Sequence, residues 1–438
     1  MKKIIPFLLL LLVLIVESCS KENSLPPIDE NLEEGIPDPL VPEEPPVSED
    51  TFAGSAKFLK PNLVDDNYIL VNDAGENRVF LMDKNAVIRY EWELSKGIGN
   101  DAKLLPNGQL LAILQAEEQS IALGGQGGII QLIENDGSIS WNFEYSEENY
   151  ITHHDVELLP NGNVLCMVWE RKTTTDVLDN GSNHNGELFP EAIIEINPAT
   201  NEIVWEWHSW DHLIQDLDAD KANYGVVADS PQLIDINYVT IANGDIMHAN
   251  GIAYDETKDI IYLSVNFYSE VWVIDHSTTT EQAATNNGGT YGKGGDLLYR
   301  FGNPEAHQGS GTRIFNNNHF PNLLDGEHDG NMLIFSNGGE LNQSTVFELG
   351  IPNDLSSGIN AGPPEIIWSF THPDLYSAKV SGAVLLPNGN RLITEGDYGF
   401  WEVTQEGEIV WKFKGDGFYW RAYHYDKNSP EILGLNLK

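Results

Sequence analysis

The sequence has few cysteines and few basic residues. It contains two cysteines, Cys19 and Cys166, in 438 residues, so a network of disulfides cannot stabilise its fold. Lys and Arg together number 24 against 67 Asp and Glu, which gives a formal net charge of −43. Such a chain repels phosphate backbones, and we therefore expect no nucleic-acid partner.

The sequence also lacks a hydrophobic run at its start that is long enough to cross a bilayer. The apolar stretch at residues 4–16 follows two lysines and has 13 residues, whereas a transmembrane helix needs about 20. This arrangement is typical of a signal peptide. The stretch ends in Val16-Glu17-Ser18-Cys19, which resembles a bacterial lipobox. We predict a lipoprotein signal peptide at 1–18 and lipidation of Cys19, with an ordinary secretory signal as the alternative.

Residues 19–52 are rich in proline and acidic side chains. Between Ser20 and Asp50 there are seven prolines, ten acidic residues and a single lysine. A segment of this composition buries too little apolar surface to fold, and its charges repel one another. It is predicted to be a disordered tether between the lipid anchor and a folded domain at 53–438. We expect an exported outer-membrane lipoprotein that faces the periplasm or the cell surface.

Helical periodicity is scarce after residue 52, and short runs of alternating apolar residues indicate an all-β chain. One pattern places bulky residues at alternate positions of a strand and is rich in aromatics. It occurs at 86–92, 137–143, 201–207, 295–301, 366–370 and 407–413. Because alternate residues share one face, these side chains are expected to pack between neighbouring sheets.

A second pattern, an apolar strand that runs into a Pro-Asn-Gly turn, alternates with the first. Its clearest copies lie at 105–108, 159–162 and 386–389. Six repeats of this kind favour a six-bladed β-propeller, which closes on itself. Two packed β-sandwiches are the alternative, but they predict no sixfold repeat. The unequal spacing predicts long loops at 171–190, 208–247 and 276–294.

Counting six residues back from each turn gives one position per blade that is expected to line the central channel. These residues are Ser55, Asn100, His154, His248, His319 and Ser381. Three of the six are histidines from successive blades. Strand alternation predicts that Asp155 points away from the channel and that Asn250 faces the same way as His248. None of the six positions holds a carboxylate.

Three converging imidazoles suit more than one chemistry. Three neutral histidines with an open coordination position can hold a catalytic zinc ion in a hydrolase. Histidines can also act as nucleophile, as general acid or base, or as oxyanion partner. A single buried histidine is most often a core residue with one hydrogen bond. Metal sites commonly recruit a carboxylate, which the channel positions lack, and we therefore predict neither a metal ion nor a cofactor.

Several stretches of the chain resemble the bacterial arylsulfate sulfotransferases. The central block of the resemblance comprises 248–254, 259–264, 272–280 and 292–304. Further similarity covers His153-His154-Asp155, 205–213, Asn318-His319, 335–338, 381–390 and Arg421-Ala-Tyr423. The resemblance thus spans roughly residues 150–425. It implies a six-bladed propeller whose channel histidines transfer a sulfuryl group between phenols.

The resemblance implies His248 and His319 as the catalytic residues, in an order that the sequence leaves open. His154 and Asn250 are expected to support them, and Arg300 is a candidate contact for the anionic substrate. The implied partners are a phenolic sulfate donor and a phenolic acceptor. The expected reaction proceeds through a sulfurylated histidine and needs no nucleotide donor.

Two further stretches bear on this reaction. The glycine-rich segment 288–295 lacks the spacing of a phosphate-binding loop and precedes a strand, which argues against a nucleotide donor. The family usually has an arginine shortly after the segment that matches 335–338. Here no Lys or Arg occurs between Arg313 and Lys379. This difference keeps a non-catalytic propeller that binds a ligand open as an alternative.

Overall fold

The computed structural model describes residues 50–355, 359 and 362–438. Its strands form six antiparallel sheets of four or five strands and one short parallel pair. The six sheets are the blades of a six-bladed β-propeller, which confirms the predicted all-β fold. The predicted signal peptide and nearly all of the predicted tether, with Cys19, lie outside the described residues. Among the described helices, none is long and apolar enough to span a membrane.

The first three blades take up the N-terminal half of the described chain. Blade 1 consists of β2 (Tyr68–Asp73), β3 (Arg78–Met82) and β4 (Ile88–Trp92), with β27 (Tyr419–Tyr425) as its innermost strand. Blade 2 consists of β5 (Ile98–Leu104), β6 (Leu110–Gln115), β7 (Gly128–Ile133) and β8 (Ile139–Glu144). Blade 3 consists of β9 (Tyr150–Leu158), β10 (Val164–Glu170), β11 (Glu191–Asn197) and β12 (Glu202–His208).

The last three blades repeat this order from the innermost strand outward. Blade 4 consists of β15 (Ala249–Asp255), β16 (Ile260–Val265), β17 (Glu270–Asp275) and β18 (Tyr299–Phe301). Blade 5 consists of β19 (Asn318–Leu323), β20 (Asn331–Ser336), β21 (Thr345–Gly350) and β22 (Glu365–Phe370). Blade 6 consists of β23 (Gly382–Leu385), β24 (Arg391–Glu395), β25 (Gly399–Val403), β26 (Ile409–Lys414) and the outer β1 (Ser55–Phe58).

The remaining elements lie in the connections between strands. The short parallel pair is β13 (Leu213–Ile214) with β14 (Ile234–Asp235), and the α-helices are α1 (Thr174–Asp179), α2 (Thr280–Ala283) and α3 (Pro430–Leu433). Turns of 3-10 helix lie at Pro61–Leu63, Ser209–His212, Val227–Asp229, Pro304–His307, Gly326–His328 and Gly339–Leu341. The long loops predicted at 171–190, 208–247 and 276–294 hold α1, the parallel pair and α2.

The six copies of the aromatic pattern end in the outermost of the four regular strands of each blade: β4, β8, β12, β18, β22 and β26. Six hydrophobic clusters each join one blade to the next. In one of them, Trp205 and Trp207 of blade 3 share a cluster with Trp272 of blade 4. Large buried aromatic side chains bury much apolar area, and they hold the blades together as the pattern predicts.

Both ends of the described chain contribute to closing the ring. The C-terminal strand β27 pairs with β2 and forms the inside of blade 1, whereas β1 pairs with β26 at the outer edge of blade 6. Ser55, the first residue of β1, is exposed and pairs with Lys414. The expectation that Ser55 lines the channel is therefore wrong. Blade 1 receives its channel residues from the end of the chain.

Candidate active site

The three channel histidines come from the inner strands of successive blades. His154 lies on β9, His248 immediately precedes β15, and His319 lies on β19. The ring centroids of His154 and His248 are 4.9 Å apart. Trp420 of β27 lies 5.1 Å from the ring of His154 and 5.7 Å from that of His319. The structure thus brings together the three histidines that the repeat places at equivalent positions.

The inner strands depart from regular pairing close to these positions. The pairing register shifts where β5, β9, β15, β19 and β27 meet their neighbours. The backbone is left-handed, with φ of +100° at Asn100, +59° at His154 and +51° at His248. This conformation is unfavourable for residues with a Cβ, and it is retained where the surrounding structure fixes it, often at functional sites. A bulge also breaks the strict alternation of side chains.

The broken alternation changes the place of Asp155. Its carboxylate accepts hydrogen bonds from Arg421 Nη1 at 2.8 Å and from the backbone N–H of Ile252 at 2.9 Å. It also lies 3.8 Å from Lys103 Nζ. These partners belong to the innermost strands of three other blades, so Asp155 faces the channel. The alternation argument that pointed it outward is wrong, because His154 beside it has the left-handed bulge conformation.

His248 is the most exposed of the three channel histidines. Its Nδ1 lies 2.6 Å from Asp245 Oδ2, and its side chain is 19% exposed. Burial opposes the charged ring, but the Asp245 carboxylate outweighs this and raises the pKa of His248 above its ordinary value. Phe267 stacks on the ring at 4.9 Å. Among the described residues Nε2 has no hydrogen-bond partner, so this nitrogen is available for reaction.

His319 has both ring nitrogens occupied. Its Nδ1 lies 2.6 Å from Asn337 Oδ1, and its Nε2 accepts a hydrogen bond from the backbone N–H of Val380 at 3.2 Å. An N–H of the backbone can only donate, so Nε2 carries no proton and Nδ1 donates to Asn337. Burial lowers the pKa of His319 to about 3. The ring is therefore neutral and fixed in one tautomer.

His154 has one nitrogen engaged and one available. Its Nδ1 lies 2.8 Å from Nδ1 of the adjacent His153, whereas Nε2 has no partner among the described residues. Burial lowers the pKa of His154 well below its ordinary value, and the neighbouring His248 adds to this. The space beside Nε2 exists because residue 125 is glycine: a Cβ there would lie 2.1 Å from this nitrogen.

We predict that Gly125→Ala blocks the His154 side of the channel. The added methyl group needs the space beside Nε2 and would also sit on a backbone with φ of +94°. Gly162→Ala is the matched control, because Gly162 has φ of +85° and no atom of the described residues lies within 4 Å of the added Cβ. Both variants should lose some thermal stability because of the left-handed backbone, and Gly125→Ala should lose more because its Cβ overlaps the buried His154 ring. Only Gly125→Ala should lose activity, and equal activities would contradict the prediction.

A buried charged group lies beside the histidines. Arg421 donates through Nη2 to the backbone oxygen of Asn250 at 3.0 Å, and its Nε has no hydrogen-bond partner in the described chain. Burial would raise the pKa of Asp155, but the charges of Arg421 and Lys103 outweigh it and hold this pKa at about 2. Burial and the nearby Asp155 raise the pKa of Asp101 to about 7. Arg421 thus supplies a fixed positive charge at the channel.

Asn250 and Arg300, the other two predicted substrate contacts, have structural partners. Asn250 is buried on β15 and donates to the backbone oxygen of Asn318 at 2.8 Å, so it holds blade 5 against blade 4. Arg300 lies on the outer strand β18, where its guanidinium is paired with buried Glu270. A separate cavity of about 140 Å³ borders Arg300 and is lined by none of the channel histidines. The structure therefore does not bring Arg300 to the site.

Sequence reasoning missed Asp245, Trp420 and Arg421. Asp245 precedes His248 by three residues at the end of a long loop, and that short spacing was an available signal. Trp420 and Arg421 lie on β27, which ends blade 1 without a following Pro-Asn-Gly turn, so counting back from turns cannot reach them. The family resemblance at Arg421-Ala-Tyr423 was the other available signal.

The fold and the site define a class: β-propellers whose channel brings together histidines and a buried guanidinium. The chain belongs to the arylsulfotransferase (ASST) family, whose model matches residues 56–431. That match covers nearly the whole propeller and confirms the resemblance seen in the sequence. Phenolic substrates follow from membership of this family.

Comparison with curated proteins gives no significant match. Among solved structures, a protein of unknown function from Bacteroides caccae is 15% identical, with a TM-score of 0.47 over 82% of this chain and 98% of that chain. A putative 6-phosphogluconolactonase from Bacteroides fragilis is 11% identical, with a TM-score of 0.41 over 82% of this chain and 98% of that chain.

Proposed function

We propose that the protein transfers a sulfuryl group from a phenolic sulfate ester to a phenolic acceptor through His248, without a nucleotide donor. The observation that carries this proposal is the state of the His248 ring. Asp245 lies at Nδ1, and Nε2 has no partner among the described residues. A histidine with an acidic partner at one nitrogen and a free second nitrogen is arranged as an activated nucleophile.

In the first half-reaction, the Nε2 lone pair forms a bond to sulfur while the bond from sulfur to the phenolic oxygen breaks. The electron pair of that bond leaves on the donor phenolate. Asp245 accepts the Nδ1 proton in a hydrogen bond and stabilises the positive charge that develops on the ring. In the second half-reaction, the oxygen of the acceptor phenolate forms a bond to sulfur, the S–N bond breaks, and neutral His248 is restored.

The surroundings of His248 suit both parts of an aryl sulfate. Arg421 places a permanent positive charge at the channel, close enough to oppose protonation of His154 and His319. Arg300 was expected to stabilise the bound anion. We assign this role to Arg421 instead. Phe267 and Trp420 present aromatic surfaces beside the histidines, and phenolic rings stack favourably on such surfaces.

The glycine-rich segment 288–295 supports a donor without a nucleotide. Several of its backbone N–H groups are already used: Tyr291 donates to Asp275 Oδ2 at 3.2 Å, and Thr290 donates to the hydroxyl of Ser277 at 2.7 Å. A phosphate loop needs free backbone N–H groups and no facing carboxylate. The segment is therefore a structural loop that leads into β18.

The test is transfer from 4-nitrophenyl sulfate to phenol, measured with and without a chelator. Turnover that survives chelation supports the proposal. Loss of turnover on chelation, restored by added zinc, would replace it with the metal-dependent hydrolase. A folded protein that binds phenyl sulfate without turnover would favour the ligand-binding alternative.

The geometry favours the nucleophile over the metal site. Both nitrogens of His319 are hydrogen-bonded, and only rotation of the ring away from Asn337 and Val380 would free a lone pair. Throughout the described chain, no group of three or more His, Cys, Asp or Glu side chains is arranged to hold a metal ion. His248 and His154 remain as the pair with accessible nitrogens.

Asp245→Asn is expected to lower kcat by about tenfold or more and to shift the acid limb of the pH profile to lower pH. The Asp245 carboxylate raises the pKa of His248, so its removal lowers that pKa. The nucleophile then stays unprotonated at lower pH. The pH dependence of kcat/KM with 4-nitrophenyl sulfate measures the shift.

Asp259→Asn provides the control for this prediction. Asp259 also lies against a histidine nitrogen, Nδ1 of His276 at 2.7 Å, but in the turn between β15 and β16. This variant should leave the pH profile in place. A shift of the acid limb to higher pH in Asp245→Asn would contradict the role given to Asp245.

We further propose that the protein is exported and anchored as an outer-membrane lipoprotein through Cys19. The supporting features are the apolar stretch, the lipobox-like end of 1–18 and the composition of 19–52. A composition rich in proline and like charges is typical of a tether between an anchor and a folded domain.

A further inference from the structure

A chain of three buried side chains leads from the interior of blade 3 to the channel. Glu191 Oε2 lies 2.9 Å from His153 Nε2, and His153 Nδ1 lies 2.8 Å from His154 Nδ1. The three residues are 0%, 0% and 2% exposed. The chain ends at His154 Nε2, in the space beside Gly125. Nothing in the proposed reaction at His248 explains why these three groups are connected.

The outer end of the chain is held rigidly. Glu191 Oε1 accepts hydrogen bonds from Trp169 Nε1 at 3.1 Å and from the backbone N–H of Ala249 at 2.7 Å. The indole of Trp169 stacks on the ring of His153, with centroids 3.8 Å apart and an interplanar angle of 6°. Both hydrogen bonds to Oε1 come from groups that only donate. Oε2 is therefore the oxygen whose proton can change.

Two arrangements of protons satisfy the chain. With Glu191 protonated, Oε2–H donates to His153 Nε2, His153 Nδ1–H donates to His154 Nδ1, and His154 carries its proton on Nε2. With Glu191 ionised, each hydrogen bond reverses, and His154 carries its proton on Nδ1 with a lone pair on Nε2. When His154 loses its Nε2 proton to the channel, the other protons shift along the chain, and the negative charge that results lies on Glu191.

The environment keeps the chain uncharged at rest. Burial raises the pKa of Glu191 well above its ordinary value and lowers the pKa of His153 and of His154 well below theirs. The charged and titratable groups that face the chain are Asp245, His248, His319 and Arg421. A proton can therefore pass along these three neutral side chains without forming a buried imidazolium.

We infer that Glu191, His153 and His154 form a proton relay that serves the leaving and attacking phenols at the channel. This inference rests on the proposed function. In the first half-reaction, His154 gives its Nε2 proton to the departing phenolate oxygen. The Nδ1 proton of His153 then moves to His154 Nδ1. The Oε2 proton of Glu191 moves to His153 Nε2. Phenol leaves and Glu191 becomes a carboxylate.

The second half-reaction returns the proton. The acceptor phenol gives its O–H proton to His154 Nε2 while its oxygen attacks sulfur, and the shift runs back to Glu191. Glu191 loses one proton and regains it in each cycle, so the buried site exchanges no proton with solvent. His154 touches the reacting oxygen and is a catalytic residue in this scheme. His153 and Glu191 act through His154 and are positioning residues.

Glu191→Gln breaks the relay while it keeps the shape of the site. Oε1 of the new amide still accepts from Trp169 and Ala249, so its NH₂ group faces His153 Nε2 and donates. His153 then donates from Nδ1, and His154 is fixed with its proton on Nε2. An amide cannot replace a proton that His154 gives away.

The kinetic test measures release of the first phenol in a single turnover from two donors. Phenol has a pKa of about 10, like tyrosine, and its anion needs a proton to leave, whereas 4-nitrophenolate leaves without one. Glu191→Gln should stay within about threefold of the wild type with 4-nitrophenyl sulfate and fall about 100-fold with phenyl sulfate. Equal losses with both donors would overturn the relay. A wild type that releases neither phenol would instead refute the proposed function.

The second readout needs no activity. Nitrogen-15 NMR of the histidine rings should show His154 of the wild type changing from an Nε2–H to an Nδ1–H tautomer as Glu191 ionises with rising pH. In Glu191→Gln the Nε2–H tautomer should persist at every pH. A tautomer that is the same in both proteins throughout would contradict the relay.

Glu195→Gln is the matched control, since Glu195 lies on the same strand and contacts His276 Nε2 at 3.0 Å, away from the channel histidines. It should change neither the donor preference nor the His154 tautomer. If Glu191→Gln does not fold, His153→Gln interrupts the chain one link nearer to His154. That variant should show the same selective loss with phenyl sulfate, and an unselective loss would overturn the relay.

Discussion

Replacement of His248 by alanine is expected to reduce transfer from 4-nitrophenyl sulfate by at least about 10³-fold. The variant loses the nitrogen that attacks sulfur, and neither neighbouring histidine replaces it. His319 has both nitrogens bonded to Asn337 and Val380. Within the described residues, no carboxylate contacts the ring of His154. Steady-state rates of nitrophenolate release measure the effect.

Covalent capture distinguishes the nucleophile from a supporting residue. Wild-type protein mixed with donor in the absence of acceptor should carry a sulfuryl group on the peptide that contains His248, detected by mass spectrometry. His319→Ala should still form this adduct, more slowly. An adduct on the His319 peptide, or an active His248→Ala variant with unchanged thermal stability, would assign the nucleophile elsewhere.

Arg421→Met is expected to lower the free energy of unfolding by about 3–5 kcal/mol, the usual cost of removing one partner from a buried ion pair. Arg421 and Asp155 are 1% and 0% exposed and lie 2.8 Å apart. Without the guanidinium, the Asp155 carboxylate stays buried beside Asp101, and the backbone oxygen of Asn250 loses a donor. The same change removes the positive charge proposed for sulfate binding, so activity should also be lost.

Urea unfolding at neutral pH measures this difference, and Arg78→Met is the control. Arg78 is 29% exposed in its ion pair with Glu91, and pairs of that kind contribute about 0–1 kcal/mol. The contribution of Asp155 has a definite pH dependence, because its folded-state pKa of about 2 is depressed. This stability is present above the unfolded pKa of about 3.9 and is lost as pH falls towards 2. Equal losses in the free energy of unfolding for Arg421→Met and Arg78→Met would contradict the prediction.

Much of the fold could be predicted from the sequence because the blades repeat. Alternating aromatics at 201–207 mark an outer strand whose tryptophans must be buried, and the turn at 159–162 marks the end of an inner strand. A period of two residues shows which side chains share a face of a strand, and therefore how the sheets stack. It does not report where a ring of equivalent blades begins. For this reason Ser55 was assigned to the channel, although β1 completes the outside of blade 6.

The site was predictable in part for the same reason. Equivalent positions of the repeat identified His154, His248 and His319, because a propeller superimposes equivalent positions around one axis. Asp155 was misplaced because a bulge with left-handed backbone defeats alternation, and no residue type reveals such a bulge. Arg300 was misplaced because its burial depends on Glu270, 30 residues away on a neighbouring strand. Contacts of this kind come from packing and leave no local pattern.

The position of β27 has a consequence for how the ring closes. The last strand both completes blade 1 and carries Trp420 and Arg421 into the channel. A chain that lacks β27 therefore lacks a closed ring and the channel's guanidinium at once. Such a chain should be open, prone to proteolysis and inert. Closure of the ring and assembly of the channel depend on the same strand.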